Sequence, residues 1–137
     1  MTKVRVVLDT NIYLSGIIFG GNSRHILDLA IKKRITIITS PVILLEISQK
    51  LKDKFDWDKE QILIVVKTIS KTALIVSPKQ RLHVVKTDRN DNKIIEAAVE
   101  SGARFIVSGD KHLLDIKTYH DIKMMSPSAF LANYFKR

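Results

Sequence analysis

No cysteine occurs among the 137 residues of the chain. This absence excludes disulfide bridges, thiolate metal ligands and cysteine nucleophiles, and it is typical of a reducing compartment. The sequence also has no apolar run of membrane-spanning length, and its first residues, MTKVRVVLD, have neither the length nor the flanks of a signal peptide. We therefore expect a cytoplasmic protein without a membrane partner.

Aromatic residues are scarce too. They make up 7% of the chain and do not alternate with basic residues, so no base-stacking surface is indicated. Basic residues are plentiful: 23 Lys and Arg outnumber 14 Asp and Glu, and the formal net charge is +9. This excess favours a nucleic-acid partner held mainly through its phosphates, although charge spread over a wet surface for solubility would give the same total.

The length fits a single domain over residues 1–137, and an apolar fraction of 45% is enough for one core. Short β-branched runs predict strands at 4–8, 35–39, 74–76, 104–108 and 122–125. Between them, a helix is predicted at 12–18 and a polar loop at 77–89. The other helix starts are marked by capping residues: Ser23, Ser40 with Pro41, Asp58 with Gln61, Asp88, and Ser126 with Pro127. This alternation of strands and helices predicts an α/β fold with a mostly parallel sheet.

Two acids stand at strand ends. Asp9 directly follows the first predicted strand, and Asp110 lies two residues past the fourth. Parallel strands would bring both carboxylates to the same edge of the sheet, where α/β proteins build their sites. The alternative is that each is an ordinary turn or cap residue, as Asp often is.

Two more acids lie on predicted helices. Glu46 is the only charge in the apolar run VILLEI, and the alternative to a functional role is a surface pair with Lys50 at i+4. Asp91 begins the face that continues with Ile94 and Ile95, but it also suits the first turn of a helix that Asp88 caps.

If Asp9, Glu46, Asp91 and Asp110 converge, they require a cation. Two carboxylates about 4 Å apart repel by roughly 4 kcal/mol at a typical effective dielectric. Oxygen donors without Cys or a suitably placed His favour Mg²⁺ or Mn²⁺. Such an ion can activate water for phosphodiester hydrolysis.

Four segments occur in order along the chain: VVLDTN at 6–11, SPVILLE at 40–46, DRNDNKIIEAA at 88–98 and FIVSGDKHLL at 105–114. Taken together, they resemble the PIN-domain family, and in particular its branch of toxins from toxin–antitoxin systems. The resemblance implies a three-layer α/β/α sandwich and a metal-dependent endoribonuclease with Asp9, Glu46, Asp91 and Asp110 as catalytic and metal-binding residues.

The same resemblance implies supporting roles for Asn11 and Ser108, a homodimer, and a cognate antitoxin protein beside the RNA substrate. Lys111, next to Asp110, is a candidate for phosphate contact. Relatives often read DPDD where this chain reads DRND, so Asn90 replaces an acid and one bound metal ion is expected rather than two.

Two other functions stay open. A phosphatase of the haloacid-dehalogenase type also begins with a strand ending in Asp, but it needs a second Asp where Asn11 stands. An RNA-binding module with a degenerate nuclease fold would explain the basic charge, but it would have no need of a repulsive cluster of acids.

Overall fold

The structure is a computed structural model that describes residues 3–79, 81–82, 84 and 91–136. The described residues form six strands: β1 (Arg5–Leu8), β2 (Thr36–Thr39), β3 (Leu74–Ile75), β4 (Phe105–Val107), β5 (Thr118–Tyr119) and β6 (Ile122–Met125). They also form seven helices: α1 (Thr10–Ile18), α2 (Gly21–Ile31), α3 (Pro41–Phe55), α4 (Lys59–Thr72), α5 (Asn92–Ser101), α6 (Lys111–Ile116) and α7 (Pro127–Phe135).

The strands make one sheet in the order β3-β2-β1-β4-β6-β5, in which only the β5–β6 pairing is antiparallel. From β1 the chain adds β2 and β3 on one side of β1, and then adds β4 on the other side. Strands β6 and β5 lie beyond β4. Because crossovers between parallel strands are right-handed, connections that run in opposite directions lie on opposite faces of the sheet. The predicted α/β fold, a mostly parallel sheet flanked by helices, is confirmed.

The central strands are buried because helices cover them. Val6, Val7 and Leu8 in β1 are completely shielded from solvent, as are Ile106 and Val107 in β4. Continuous burial explains why these strands are uninterrupted apolar runs rather than alternating ones. The sheet is therefore a rigid base whose carboxyl edge can hold side chains in place.

Most helix starts follow the local signals in the sequence. The Ser40 hydroxyl accepts a hydrogen bond from the Ile43 N–H, and Asp58 and Gln61 form the expected capping box. Helix α5 ends at Gly102, which takes the left-handed conformation (φ 68°). Asp88 lies outside the described residues, as do positions 80, 83 and 85–89 of the predicted loop.

The predicted cap at Ser23 is wrong. Helix α2 already begins at Gly21, with Gly20 as its N-cap at φ 89°, and Ser23 is buried inside the helix. Glycine allows this sharp entry because it has no Cβ to clash at positive φ. The sequence reading also missed α6 and β5, which have six and two residues. In the described part of the chain, no helix is long and apolar enough to cross a membrane.

Candidate active site

A small polar cavity of about 100 Å³ opens at the carboxyl edge of the sheet. It lies where the chain order reverses between β1 and β4, which is the usual ligand position in open α/β sheets. The structure brings the four predicted acids to this one cavity: Asp9, Glu46, Asp91 and Asp110. Asn11 also lines it.

Asp9 is the most enclosed of the four, with 5% of its surface exposed. It is the N-cap of α1: one carboxylate oxygen accepts a hydrogen bond from the Asn11 N–H at 2.7 Å, and the other accepts one from the Ser108 hydroxyl at 2.5 Å. Burial raises the pKa of Asp9, and the charge of Asp110 adds to this effect, although both hydrogen bonds oppose it. Asp9 is thus firmly held, and a nearby cation would favour its charged form.

Ser108 connects two of the acids. Its fully buried hydroxyl donates to Asp9 and accepts a hydrogen bond from the Asp110 N–H at 2.9 Å. Asp110 in turn caps α6 by accepting from the His112 N–H at 2.8 Å. The predicted supporting residue therefore sets the relative position of Asp9 and the Asp110 backbone.

Glu46 reaches the cavity from α3 and forms an ion pair with Lys93 of α5. Burial raises the pKa of Glu46, but hydrogen bonding to Lys93 and Thr10 and the charges of Lys93 and Lys50 outweigh it, so the pKa lies below its ordinary value. Lys50 donates instead to Asn11 Oδ1 at 3.3 Å. Hence the alternative of a direct surface pair between Glu46 and Lys50 is not what the structure shows.

Asp91 precedes α5 and is buried, with 8% of its surface exposed. It occupies the N-cap position of that helix, yet its side chain makes no capping hydrogen bond there. Ile94 and Ile95, one turn further on, are buried in the core, as the sequence pattern predicted. Asp91 therefore lies where a purely capping role does not explain it.

The donor chemistry of the cavity fits a hard cation, because carboxylates dominate its lining. The buried Thr10 hydroxyl lies beside Glu46 and is a further oxygen donor. The acids are not yet arranged as a finished ligand set. Among the described residues, no three His or acidic side chains lie close enough to enclose an ion. Binding of an ion would therefore require side-chain movements that gather its ligands.

Sequence reasoning did not find Lys50 and Lys93, which line the cavity beside the acids. Lys93 follows the acid-rich DRND segment, but its contact with Glu46 spans 47 positions and depends on how α3 packs against α5. Lys111, the candidate for phosphate contact, is exposed at the start of α6 and is not part of the cavity lining.

The chain belongs to the PIN-domain family. The model of the PIN domain matches residues 5–112, a stretch that contains all four acids. PIN domains are generally nucleases, so the hydrolase class is established at the level of the family. The chain is also 33% identical to an uncharacterized protein of Methanocaldococcus jannaschii, over 98% of this chain and 94% of that protein.

Two solved structures share the fold. The VapBC2 structure from Rickettsia felis, bound to a DNA fragment from its promoter, has a TM-score of 0.62 and 19% identity, covering 88% of this chain and 97% of the matched chain. PAE2754 from Pyrobaculum aerophilum also has a TM-score of 0.62, with 14% identity, covering 98% of this chain and 91% of that one.

Proposed function

We propose that this protein is an endoribonuclease that hydrolyses RNA phosphodiester bonds with a Mg²⁺ or Mn²⁺ ion. The observation that carries the proposal is the convergence of Asp9, Glu46, Asp91 and Asp110 on one cavity of a PIN-family chain. A net charge of +9 supports it, because a basic protein attracts the phosphate chain while the acidic cavity holds the metal.

The four acids would be the metal ligands, and the bound ion would supply Lewis-acid catalysis and an activated water. Asp9 and Asp110 are fixed by backbone N–H groups and by Ser108, so they need little rearrangement. Lys50 and Lys93 place two positive charges at the same cavity, where they can hold a phosphate oxygen of the RNA.

We further propose that the chain works as a single nuclease domain, as a homodimer, and as the toxin of a toxin–antitoxin pair. The likeness of its fold to the VapBC2 structure supports the last point. A cognate antitoxin would neutralise the enzyme most directly by covering this cavity or by offering a cation to its acids.

The test is cleavage of a 5′-labelled single-stranded RNA by the purified protein in Mg²⁺ or Mn²⁺. We expect cleavage by the wild type, none in EDTA, and a loss of at least about 100-fold in Asp9→Asn. The matched control is Asp115→Asn, which removes an exposed acid of α6 that does not line the cavity.

Full activity of Asp9→Asn, or activity that survives EDTA, would refute the proposed chemistry. A wild-type protein that binds the RNA but cleaves neither RNA nor DNA with either metal would favour the RNA-binding module. Release of phosphate from small phosphomonoesters without RNA cleavage would favour the phosphatase.

A further inference from the structure

A second cavity, of about 220 Å³, adjoins the acidic one at the same edge of the sheet. It lies where β2 and β3 end, since its lining includes Ser40 directly after β2 and Ser77 shortly after β3. Lys93 lines both cavities, so the two are neighbours across one side chain. A ligand that follows the carboxyl edge from β1 toward β3 passes from the first cavity into the second.

The lining of the second cavity differs in chemistry from that of the first. Pro41, Pro78 and the half-exposed Val42 (53%) provide apolar surfaces, while Arg81 and Lys93 provide positive charge. The lining also includes one acid, the buried Glu96, whose carboxylate accepts a hydrogen bond from the Leu82 N–H. Apolar surface flanked by cations suits a nucleobase or ribose joined to phosphate.

Described residues on both sides of Arg81 are hydrogen-bonded to α5. Three of their backbone N–H groups donate to side chains spaced four residues apart on one face of the helix. The pairs are Lys79 to Glu100 at 3.0 Å, Leu82 to Glu96 at 2.8 Å, and Val84 to Asn92 at 2.9 Å. Arg81 lies between Lys79 and Leu82 in sequence and lines the cavity with an exposed side chain, which leaves its charge available to a ligand.

We propose that this second cavity binds one nucleoside of the RNA chain, next to the phosphodiester that is held at the acidic cavity. The assignment rests on the proposed ribonuclease function and adds the residues that hold its substrate. Val42 and the two prolines contact the nucleoside, and Arg81 contacts its phosphate. Lys93 lies between the two positions.

The experiment measures binding of a fluorescein-labelled single-stranded RNA of mixed sequence by anisotropy, in EDTA so that the RNA stays intact. Val42→Glu places a carboxylate in the second cavity and should weaken binding about tenfold or more. Leu45→Glu is the matched control, because Leu45 lies one turn away on α3, is similarly exposed (58%) and does not line the cavity. It should change affinity by less than about twofold.

Arg81→Ala is a second variant whose exposed side chain can be removed without disturbing the core. It should weaken binding about three- to tenfold and lower the slope of log affinity against log salt by about 0.7, the value for one lost phosphate contact on a single strand. Its control is Arg104→Ala, an exposed arginine that precedes β4 at the opposite edge of the sheet. Melting temperatures report whether each variant is folded.

Equal affinities of Val42→Glu and Leu45→Glu, or an unchanged salt slope in Arg81→Ala, would overturn the nucleoside site even if the wild type cleaves RNA. Weaker binding in both variants without metal-dependent cleavage by the wild type would refute the nuclease chemistry and keep the binding site. Absence of RNA binding by the wild type would overturn the nucleoside site, while the cleavage assay decides the nuclease function separately.

Discussion

The ion pair between Glu46 and Lys93 gives a quantitative test of how the cavity is built. We predict that Lys93→Met destabilises the fold in EDTA, because the carboxylate then loses its partner while only 24% of its side chain is exposed. Exposed ion pairs contribute about 0–1 kcal/mol, whereas breaking a fully buried pair costs about 3–5 kcal/mol. Because the Glu46–Lys93 pair is of intermediate burial, Lys93→Met should lower the free energy of unfolding by about 1–3 kcal/mol.

The pairwise part can be isolated by adding Glu46→Gln and the double variant. Unfolding entropies of about 2.1 cal/mol/K per residue give roughly 0.3 kcal/mol/K for a chain of this length. A coupling free energy of about 1.5 kcal/mol therefore corresponds to roughly 5 °C in melting temperature. This is the expected difference between the melting-temperature change of the double variant and the sum of the changes of the two single variants. Lys52→Met, an exposed lysine of α3, is the control and should shift the melting temperature by less than about 1 °C.

The coupling should also depend on pH. The folded pKa of Glu46 lies below its ordinary value of 4.5, so the contribution of the pair is fully present above that value and is lost as the pH falls through the folded pKa. Melting curves of the four proteins at pH 7, 5 and 3 would show this. A coupling below about 0.3 kcal/mol at pH 7, or one that grows on acidification, would refute the reasoning.

Three further predictions concern stability. Gly16→Ala should lower the free energy of unfolding by about 1–3 kcal/mol, because a Cβ there would lie 3.1 Å from backbone atoms of α2. Gly109→Ala is the control and should lower it far less, because the space around Gly109 is open. Glu96→Ala should lower the free energy of unfolding by about 1–3 kcal/mol, because it removes a buried acceptor of a backbone N–H. Glu100→Ala removes an exposed acceptor and should lower it by less than about 1 kcal/mol. Equal losses of the two variants in chemical denaturation would contradict this. Asp9→Asn in EDTA should stabilise the fold by roughly 0.5–2 kcal/mol at neutral pH. Burial raises the folded-state pKa of Asp9 above its ordinary value of 3.8, so the folded wild type takes up a proton before the unfolded chain does. The wild type therefore gains stability as the pH falls toward 3.8, and the difference between the variant and the wild type should shrink.

Local sequence signals predicted a large part of the fold. The start of α3 at Ser40 and Pro41 and the capping box of α4 depend on residues within four positions of each other, so they can be read without knowing the rest of the chain. The strand-end rule also placed Asp9 and Asp110 at the same edge, because parallel order alone determines where the carboxyl ends of neighbouring strands meet.

Features that depend on packing between distant segments could not be read in this way. The partner of Glu46 is 47 positions away, whereas the partner expected from helix spacing was four positions away. The N-terminus of α2 was misplaced because the positive φ of Gly20 and the close approach of α1 at Gly16 are tertiary features. The two-residue strand β5 is too short to leave a hydrophobic period in the sequence.

For Asp9 and Asp110, the alternative interpretation as helix caps is compatible with the functional one. Asp9 and Asp110 are helix caps, as ordinary Asp residues at such positions often are, yet both line the cavity. A cap uses a backbone N–H to fix a carboxylate at a helix start, and both α1 and α6 start at the carboxyl edge of the sheet. Capping is therefore the means by which these acids are held at the site, and a cap signal directly after a parallel strand should count in favour of a functional acid rather than against it.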